Sequence, residues 1–354
     1  MKILLAAPQD KTVLGIITHY CQKAMEAIGN EVVVFDFRKR PYSRNHFVPL
    51  LKSLIRPFFP SLPSPYDLPK IREAADQETN HLLLELVNTY KPDILLVLCG
   101  ENILPETLTR IRKGLNITTV NWFHDTLLSP LRKELIQNAL PFYNYLFVVD
   151  SLDVLKHLEL KVENIYTLAL GCEPQVHKRI KLSEKEKNMY GSDIAFVGTV
   201  TLERERILEK LAEFNMKIWG RWQRESPRLK GCYQKKDVYT EEAVKIYNAS
   251  KIVLDIHSLF GIEKEIFNVT PRLFEVPASG AFLLTNSSLQ VGSFYELNHE
   301  IAVYHDVEEL KRLIRYYLAH EKERQDMAQR AFVRAHREHT YLQRLKTLLE
   351  YVKK

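Results

Sequence analysis

The run from Thr270 to Thr285, Thr-Pro-Arg-Leu-Phe-Glu-Val-Pro-Ala-Ser-Gly-Ala-Phe-Leu-Leu-Thr, holds the residues of this chain best suited to chemistry. Thr270 is a good helix N-cap, and Pro271 suits the first helical position, where its missing N–H would be unpaired anyway. The pattern predicts a helix over 270–278 that begins sharply, stops at a glycine and passes straight into a buried strand. Free N–H groups and the positive dipole end at such a tip suit a phosphate. Five residues past the cap, Glu275 can accept hydrogen bonds from a vicinal diol such as a ribose. Arg272, three residues before Glu275, is either a second anion contact or half of a surface ion pair contributing about 0.2–0.5 kcal/mol. Thr270, Arg272, Leu273 and Glu275 are counted together as a site for a diphosphate and a ribose, the signature of a nucleotide-sugar. Leu273, Phe274 and Val276 also supply this helix with core contacts.

Other candidates follow from a topological rule: in open doubly wound sheets, ligands bind beyond the carboxyl ends of the strands. Gly198-Thr199 follows an apolar run and precedes a helix, so backbone amides and a hydroxyl can meet a phosphate, although any strand-to-helix turn can contain a glycine. Arg204 and Arg206 sit early in that helix, where the dipole disfavours cations, a cost that hints at an anionic ligand unless Glu203 and Glu205 offset it. Gly220 and Arg221, between Trp219 and Trp222, can frame a base or simply pack. His257-Ser258 ends a strand and opens the loop over 257–271, another candidate ligand contact by the same rule. His124-Asp125 ends another strand; either residue can bind an acceptor hydroxyl or act as base, histidine having a near-neutral pKa. The plain alternative is that Asp125 caps the next helix. Gly15 and Glu101, in the loops over 7–15 and 99–103, form a candidate phosphate or acceptor loop.

These loops need a scaffold that brings strand ends together. Apolar runs such as Ile94-Leu-Leu-Val-Leu and Leu146-Phe-Val-Val lack alternation, as strands covered on both faces do. Strands are predicted over 2–7, 31–37, 93–98, 118–122, 145–149 and 164–168, with helical patterns over 16–28, 71–90, 105–112, 130–138 and 152–158. The second half repeats the plan, with strands over 193–197, 217–219, 252–257, 281–284 and 300–303. Its helices are predicted over 202–213, 241–248, 270–278, 307–319, 321–338 and 341–352. This alternation makes an α/β protein of two Rossmann-like doubly wound domains facing across a cleft, residues 1–175 and 190–338. The polar stretch 173–191 is expected to link them, and the terminal helix, 340–354, to complete the first.

Bulk properties agree. A length of 354 residues fits two ordinary domains, and 45% hydrophobic with 27% charged residues marks a globular chain. Cys21, Cys99, Cys172 and Cys232 lie too far apart for a zinc or redox motif, so a reducing cytoplasm is expected. The opening apolar run is too short for a signal peptide, and no run is long enough to span a bilayer. The net charge of +6 does not by itself imply nucleic acid, and none is expected as a partner. Residues 37–66 carry no acidic residue but several arginines and lysines among aromatics and leucines, a composition that can lie on an anionic membrane surface or be a solvated loop. Neither a phosphate-loop lysine motif nor a Gly-x-Ser-x-Gly elbow is present.

Arg272-Leu-Phe-Glu-Val-Pro-Ala-Ser-Gly-Ala-Phe-Leu-Leu-Thr285 resembles the donor-site signature of glycosyltransferases of the two-Rossmann-domain (GT-B) type, and in particular the group around the spore maturation protein CgeB. Ser192-Asp-Ile-Ala-Phe-Val-Gly-Thr-Val, Asn248-Ala-Ser-Lys-Ile-Val-Leu-Asp-Ile-His and the tail from Asp306 extend the resemblance over 190–345. The first half is similar more loosely, in Trp122-Phe-His-Asp-Thr and Leu168-Ala-Leu-Gly-Cys-Glu-Pro. The resemblance implies transfer of a sugar from a UDP-, GDP- or dTDP-linked donor to a glycan, lipid or protein hydroxyl, with Glu275 holding the ribose and no separate cofactor. Asp-x-Asp, the metal clamp of the other major glycosyltransferase fold, is absent, which fits a metal-independent reaction. Many retaining members carry a second glutamate eight positions before the first; here that position is Phe267, with Glu263 and Glu265 nearby as substitutes. Retention is the expectation and inversion the alternative. A non-catalytic carbohydrate- or nucleotide-binding module of envelope or spore assembly, or an epimerase of the same fold, are the rival readings.

Overall fold

Short apolar runs become strands because both their faces are covered. In a computed structural model, Ile94–Leu98 is buried at every position and Lys2–Ala6 at all but the first. The structure describes residues 1–39, 69–127, 134, 136–151, 160, 162–222, 226–257, 269–286 and 290–353. The basic segment over 40–68, Ser258, Glu263, Glu265 and Phe267, and most of the helical patterns expected over 130–138 and 152–158 lie outside those residues. The chain divides into two units, Met1–Leu168 with Leu345–Lys354, and Ala169–Arg344.

The first unit is built from β1 (Lys2–Ala6), α1 (Val13–Ala27), β2 (Glu31–Phe35), α2 (Pro69–Tyr90), β3 (Ile94–Leu98), α3 (Pro105–Thr109), β4 (Thr118–Phe123), β5 (Tyr145–Val148) and β6 (Ile165–Thr167). Its sheet has the order β2-β1-β3-β4-β5-β6 and is parallel throughout. The chain leaves β1 toward β2 and returns to β3 on the other side, so the switch point lies between β1 and β3. The helix α1 begins three residues earlier than its apolar pattern, because the Thr12 hydroxyl caps it by accepting the Gly15 N–H at 3.4 Å.

The second unit holds α4 (Glu184–Tyr190), β7 (Ile194–Val197), α5 (Leu202–Glu209), β8 (Met216–Trp219), α6 (Thr240–Ala249), β9 (Ile252–Asp255), α7 (Arg272–Ala278), β10 (Leu283–Asn286), α8 (Val291–Phe294), β11 (Ala302–Tyr304), α9 (Val307–Ala319) and α10 (Glu321–Glu338). The last helix, α11 (Tyr341–Val352), contains the cut between the units. The second sheet, also parallel, runs β11-β10-β9-β7-β8, which puts its switch point between β7 and β9. Leu273, Phe274, Val276 and Leu283 are buried on one face of it, with Tyr247 and Ala335.

The expected linker over 173–191 is corrected: it belongs to the second unit and forms α4. Ser183 and Glu186 build a reciprocal capping box there, satisfying two orphan N–H groups and starting a helix in a stretch whose polarity suggested none. No helix among the described residues is long and apolar enough to cross a membrane.

Candidate active site

The carboxyl ends of β7, β8 and β9 bring together most of the candidate residues in the second unit, beside the start of α7. At their centre is Asp255, the last residue of β9, fully buried. A buried carboxylate needs partners, and Asp255 has three. Arg272 donates from Nε to Oδ1 at 2.7 Å, Thr270 donates its hydroxyl to Oδ2 at 2.7 Å, and His257 Nε2 lies 3.0 Å from Oδ2. Burial opposes ionisation, but Arg272, His257 and Thr270 outweigh it and hold Asp255 well below the ordinary carboxylate range. His257 is fixed from the far side as well: its N–H donates to Asn286 Oδ1 at 2.7 Å, and Asn286 Nδ2 donates back to its carbonyl at 3.3 Å.

Two expectations about the start of α7 are revised by this network. The Thr270 side chain does not cap the helix, because its hydroxyl is taken by Asp255; the helix starts two residues later. Nor is the tip a row of free amides. Leu273 N–H donates to Thr270 O at 3.1 Å and Phe274 N–H to Pro271 O at 2.9 Å, a tight first turn that uses those donors internally. Leu273 itself is buried in the core, so it anchors the helix and offers a ligand nothing. Gly280 ends the segment as expected, at φ +72°.

Arg272 and Glu275 do not make the plain helical ion pair. The Arg272 guanidinium goes to Asp255, with its side chain 13% exposed. The Glu275 carboxylate, 23% exposed, accepts no hydrogen bond from the described residues, and His177 Nε2 stands 3.9 Å from its Oε1. His177 is almost wholly buried and accepts the Glu173 N–H on Nδ1 at 2.9 Å, so its proton sits on Nε2. Burial, with His336 adding to it, pushes His177 down to about 3 and keeps it neutral. Burial likewise raises the Glu275 carboxyl to about 7, Arg272 partly opposing the rise. A half-buried carboxylate with unfilled acceptor sites is suited to a pair of ligand hydroxyls.

The glycine turns pack against each other. Gly220, at φ +121°, lies so near Gly198 that a Cβ on it would sit 2.3 Å from the Gly198 carbonyl oxygen. A Cβ on Gly198 would in turn sit 2.8 Å from Arg272 Nη1. Both positions therefore require glycine for close approach. Thr199 is exposed, and its carbonyl accepts from Arg204 Nη1 at 2.7 Å, while Arg204 Nε donates to Ile256 O at 2.9 Å. The guanidinium carbons of Arg204 and Arg272 lie 5.7 and 5.9 Å from the Phe196 ring centroid. Burial, then the neighbouring Arg272 charge, lower Arg204 to about 10. Arg221 is turned outward to Asp237 at 3.0 Å and does not join this cluster.

In the first unit, Gly15 lies in the first turn of α1, against the backbone of Asp10, and Glu101 follows Gly100, whose φ is +82°. Both flank the β1/β3 switch point. His124 and Asp125 follow β4. The His124 ring stands edge-on to Trp122, centroids 4.5 Å apart, with both nitrogens shielded and unpaired among the described residues. Burial drives it to about 3, so it stays neutral and has little appetite for a proton. Asp125 Oδ1 accepts the Thr126 N–H at 2.9 Å. The turn is fastened by Asp150, which accepts from Thr126 Oγ1 at 2.7 Å and Leu127 N at 2.8 Å. Burial raises Asp150 to about 6.

Asp255 and His177 are not among the residues expected from the sequence, whereas Asp150 and Asn286 lie in loops that the strand-end rule picks out, 150–151 and 285–288. One signal was available: Asp255 and Asp150 each end an otherwise apolar run, where a carboxylate is tolerated only beside dedicated partners.

Residues 204–350 match the model of the glycosyl transferase-like family. The two parallel doubly wound sheets have the GT-B fold. Among particular proteins the chain is similar to the spore protein CgeB of Bacillus subtilis, at 23% identity over 259 residues, 68% of this chain and 77% of that protein. Its fold is similar to Anabaena HepE solved with UDP and glucose (TM-score 0.66, 11% identity, 100% and 99% of the two chains). It is similar also to the sucrose-phosphate synthase of Thermosynechococcus elongatus (TM-score 0.67, 10% identity, 100% and 98%).

Proposed function

We propose that the protein transfers a sugar from a nucleoside-diphosphate donor to an acceptor hydroxyl of a glycan, lipid or protein in the cytoplasm, without a metal ion. The observation that carries this reading is the pairing at one switch point of a cation held by a buried carboxylate, Arg272, with a carboxylate free to accept ligand hydroxyls, Glu275. That HepE was solved with UDP and glucose supports a nucleotide-sugar donor.

In the reaction the bond from the anomeric carbon to the diphosphate oxygen breaks, and a bond to the acceptor oxygen forms. Negative charge grows on the leaving diphosphate, and fixed cations nearby lower the barrier without reorganising. Arg272 fills that role, with Arg204 adding to the field. The acceptor proton goes to an oxygen of the leaving phosphate, with retention at the anomeric carbon. His124, held neutral near 3 with both ring nitrogens shielded, is too weak a base to take the proton.

Titration with UDP, GDP and dTDP tests the donor reading. One of them is expected to bind, and Glu275→Ala to weaken it by about ten- to a hundredfold through lost charge-assisted hydrogen bonds. Unchanged affinity in that variant would remove Glu275 from the ribose.

A further inference from the structure

We propose that Asp255 is the positioning residue of the donor site, a carboxylate that never touches the donor but aims the Arg272 guanidinium at the Gly198 turn. The inference rests on the donor reading above.

Asp255 is wholly buried, so no ligand reaches it. Its Oδ1 engages Arg272 through Nε, at 2.7 Å. Bonding at Nε leaves the two Nη groups of the planar fork for another partner, and Nη1 is the one that lies against Gly198. Oδ2 holds Thr270 and faces His257, so the segment leading into α7 and the residue that follows β9 are tied to one carboxylate. Arg204 is not available for the same task, because its Nε and Nη1 are spent on the carbonyls of Ile256 and Thr199. Two guanidinium groups share the Phe196 ring, and the buried Asp255 carboxylate is paired with Arg272. Without its charge the repulsion between Arg204 and Arg272 is less offset, and Arg272 loses the contact that fixes its angle. Gly198 limits the same guanidinium from the opposite side, since a methyl group there would occupy its space.

The test compares wild type, Asp255→Asn and Gly198→Ala for binding of UDP, GDP and dTDP and of the three corresponding nucleosides. Thermal unfolding of each variant is followed in parallel. In both variants the preferred diphosphate is expected to bind about ten- to a hundredfold more weakly while nucleoside affinity holds. In an Arg272→Gln background, Asp255→Asn is expected to cost almost nothing further, because the group it positions is gone. Equal weakening of nucleoside and diphosphate, or an undiminished effect in the Arg272→Gln background, would overturn the proposal and leave Asp255 a fold residue. Should Asp255→Asn fail to fold, Gly198→Ala decides: a diphosphate affinity like wild type's overturns it. If the wild type binds none of the three diphosphates, the donor reading itself fails.

Discussion

Glu275 carries an ionisation that can be read as stability. In the unfolded chain its carboxyl titrates near the ordinary 4.5, and in the folded protein burial raises it to about 7. Between those values the folded state holds a proton that the unfolded state has lost, so stability falls as pH rises through this window and levels off above it. Glu275→Gln removes that contribution. The melting temperature of the variant minus that of wild type is therefore expected to climb between about pH 4.5 and 7; a flat difference would mean that the carboxyl titrates as if in water. Asp150, also raised, has the same sign but is common to both proteins. At this scale the sequence was informative where chemistry is local. The Pro271-Arg272 and Glu275 spacing marked a candidate site because three residues on one turn can be judged together. The partners of those residues were hidden because they come from afar: Asp255 is 17 residues from Arg272, and His177 reaches Glu275 from the far end of the unit's sequence. The Thr270 hydroxyl shows the limit most clearly, since a good cap residue was drawn away by a stronger buried acceptor.

At the scale of elements, strand ends set the site. Gly220→Ala would combine a disfavoured φ of +121° with a Cβ 2.3 Å from the Gly198 carbonyl oxygen, two faults with no flexible side chain to give way. We expect a loss of roughly 2–4 kcal/mol in urea unfolding, with little change in the denaturant slope. A loss under about 0.5 kcal/mol would show that the two turns are not locked backbone to backbone. The apolar runs gave every strand of both sheets, and α9, α10 and α11 follow their apolar periodicity from end to end. Two of the misses were decided by capping: α1 starts early at Thr12, and α4 arises from the Ser183–Glu186 box inside a stretch with no apolar stripe. Polar composition argues for a linker only while its side chains lack backbone groups to satisfy.

For the whole molecule, the alternation of strands and helices conveyed two doubly wound sheets, and the strand orders add what alternation alone could not, a switch point in each. The second one lies between β7 and β9, where Asp255 ends β9 and Gly198 and His257 follow their strands; the first lies between β1 and β3, beside Gly15 and Glu101. Phe267, in place of a second glutamate, falls outside the described residues. The measurement that bears most directly on the account is a crystal structure of the protein with its preferred nucleoside diphosphate bound. Phosphate oxygens within hydrogen-bond distance of the Arg272 Nη groups, at the Gly198 turn, with both ribose hydroxyls on Glu275, are the predicted result. A nucleotide bound elsewhere, with Arg272 still engaged only to Asp255 and Glu275 still facing only His177, would contradict it.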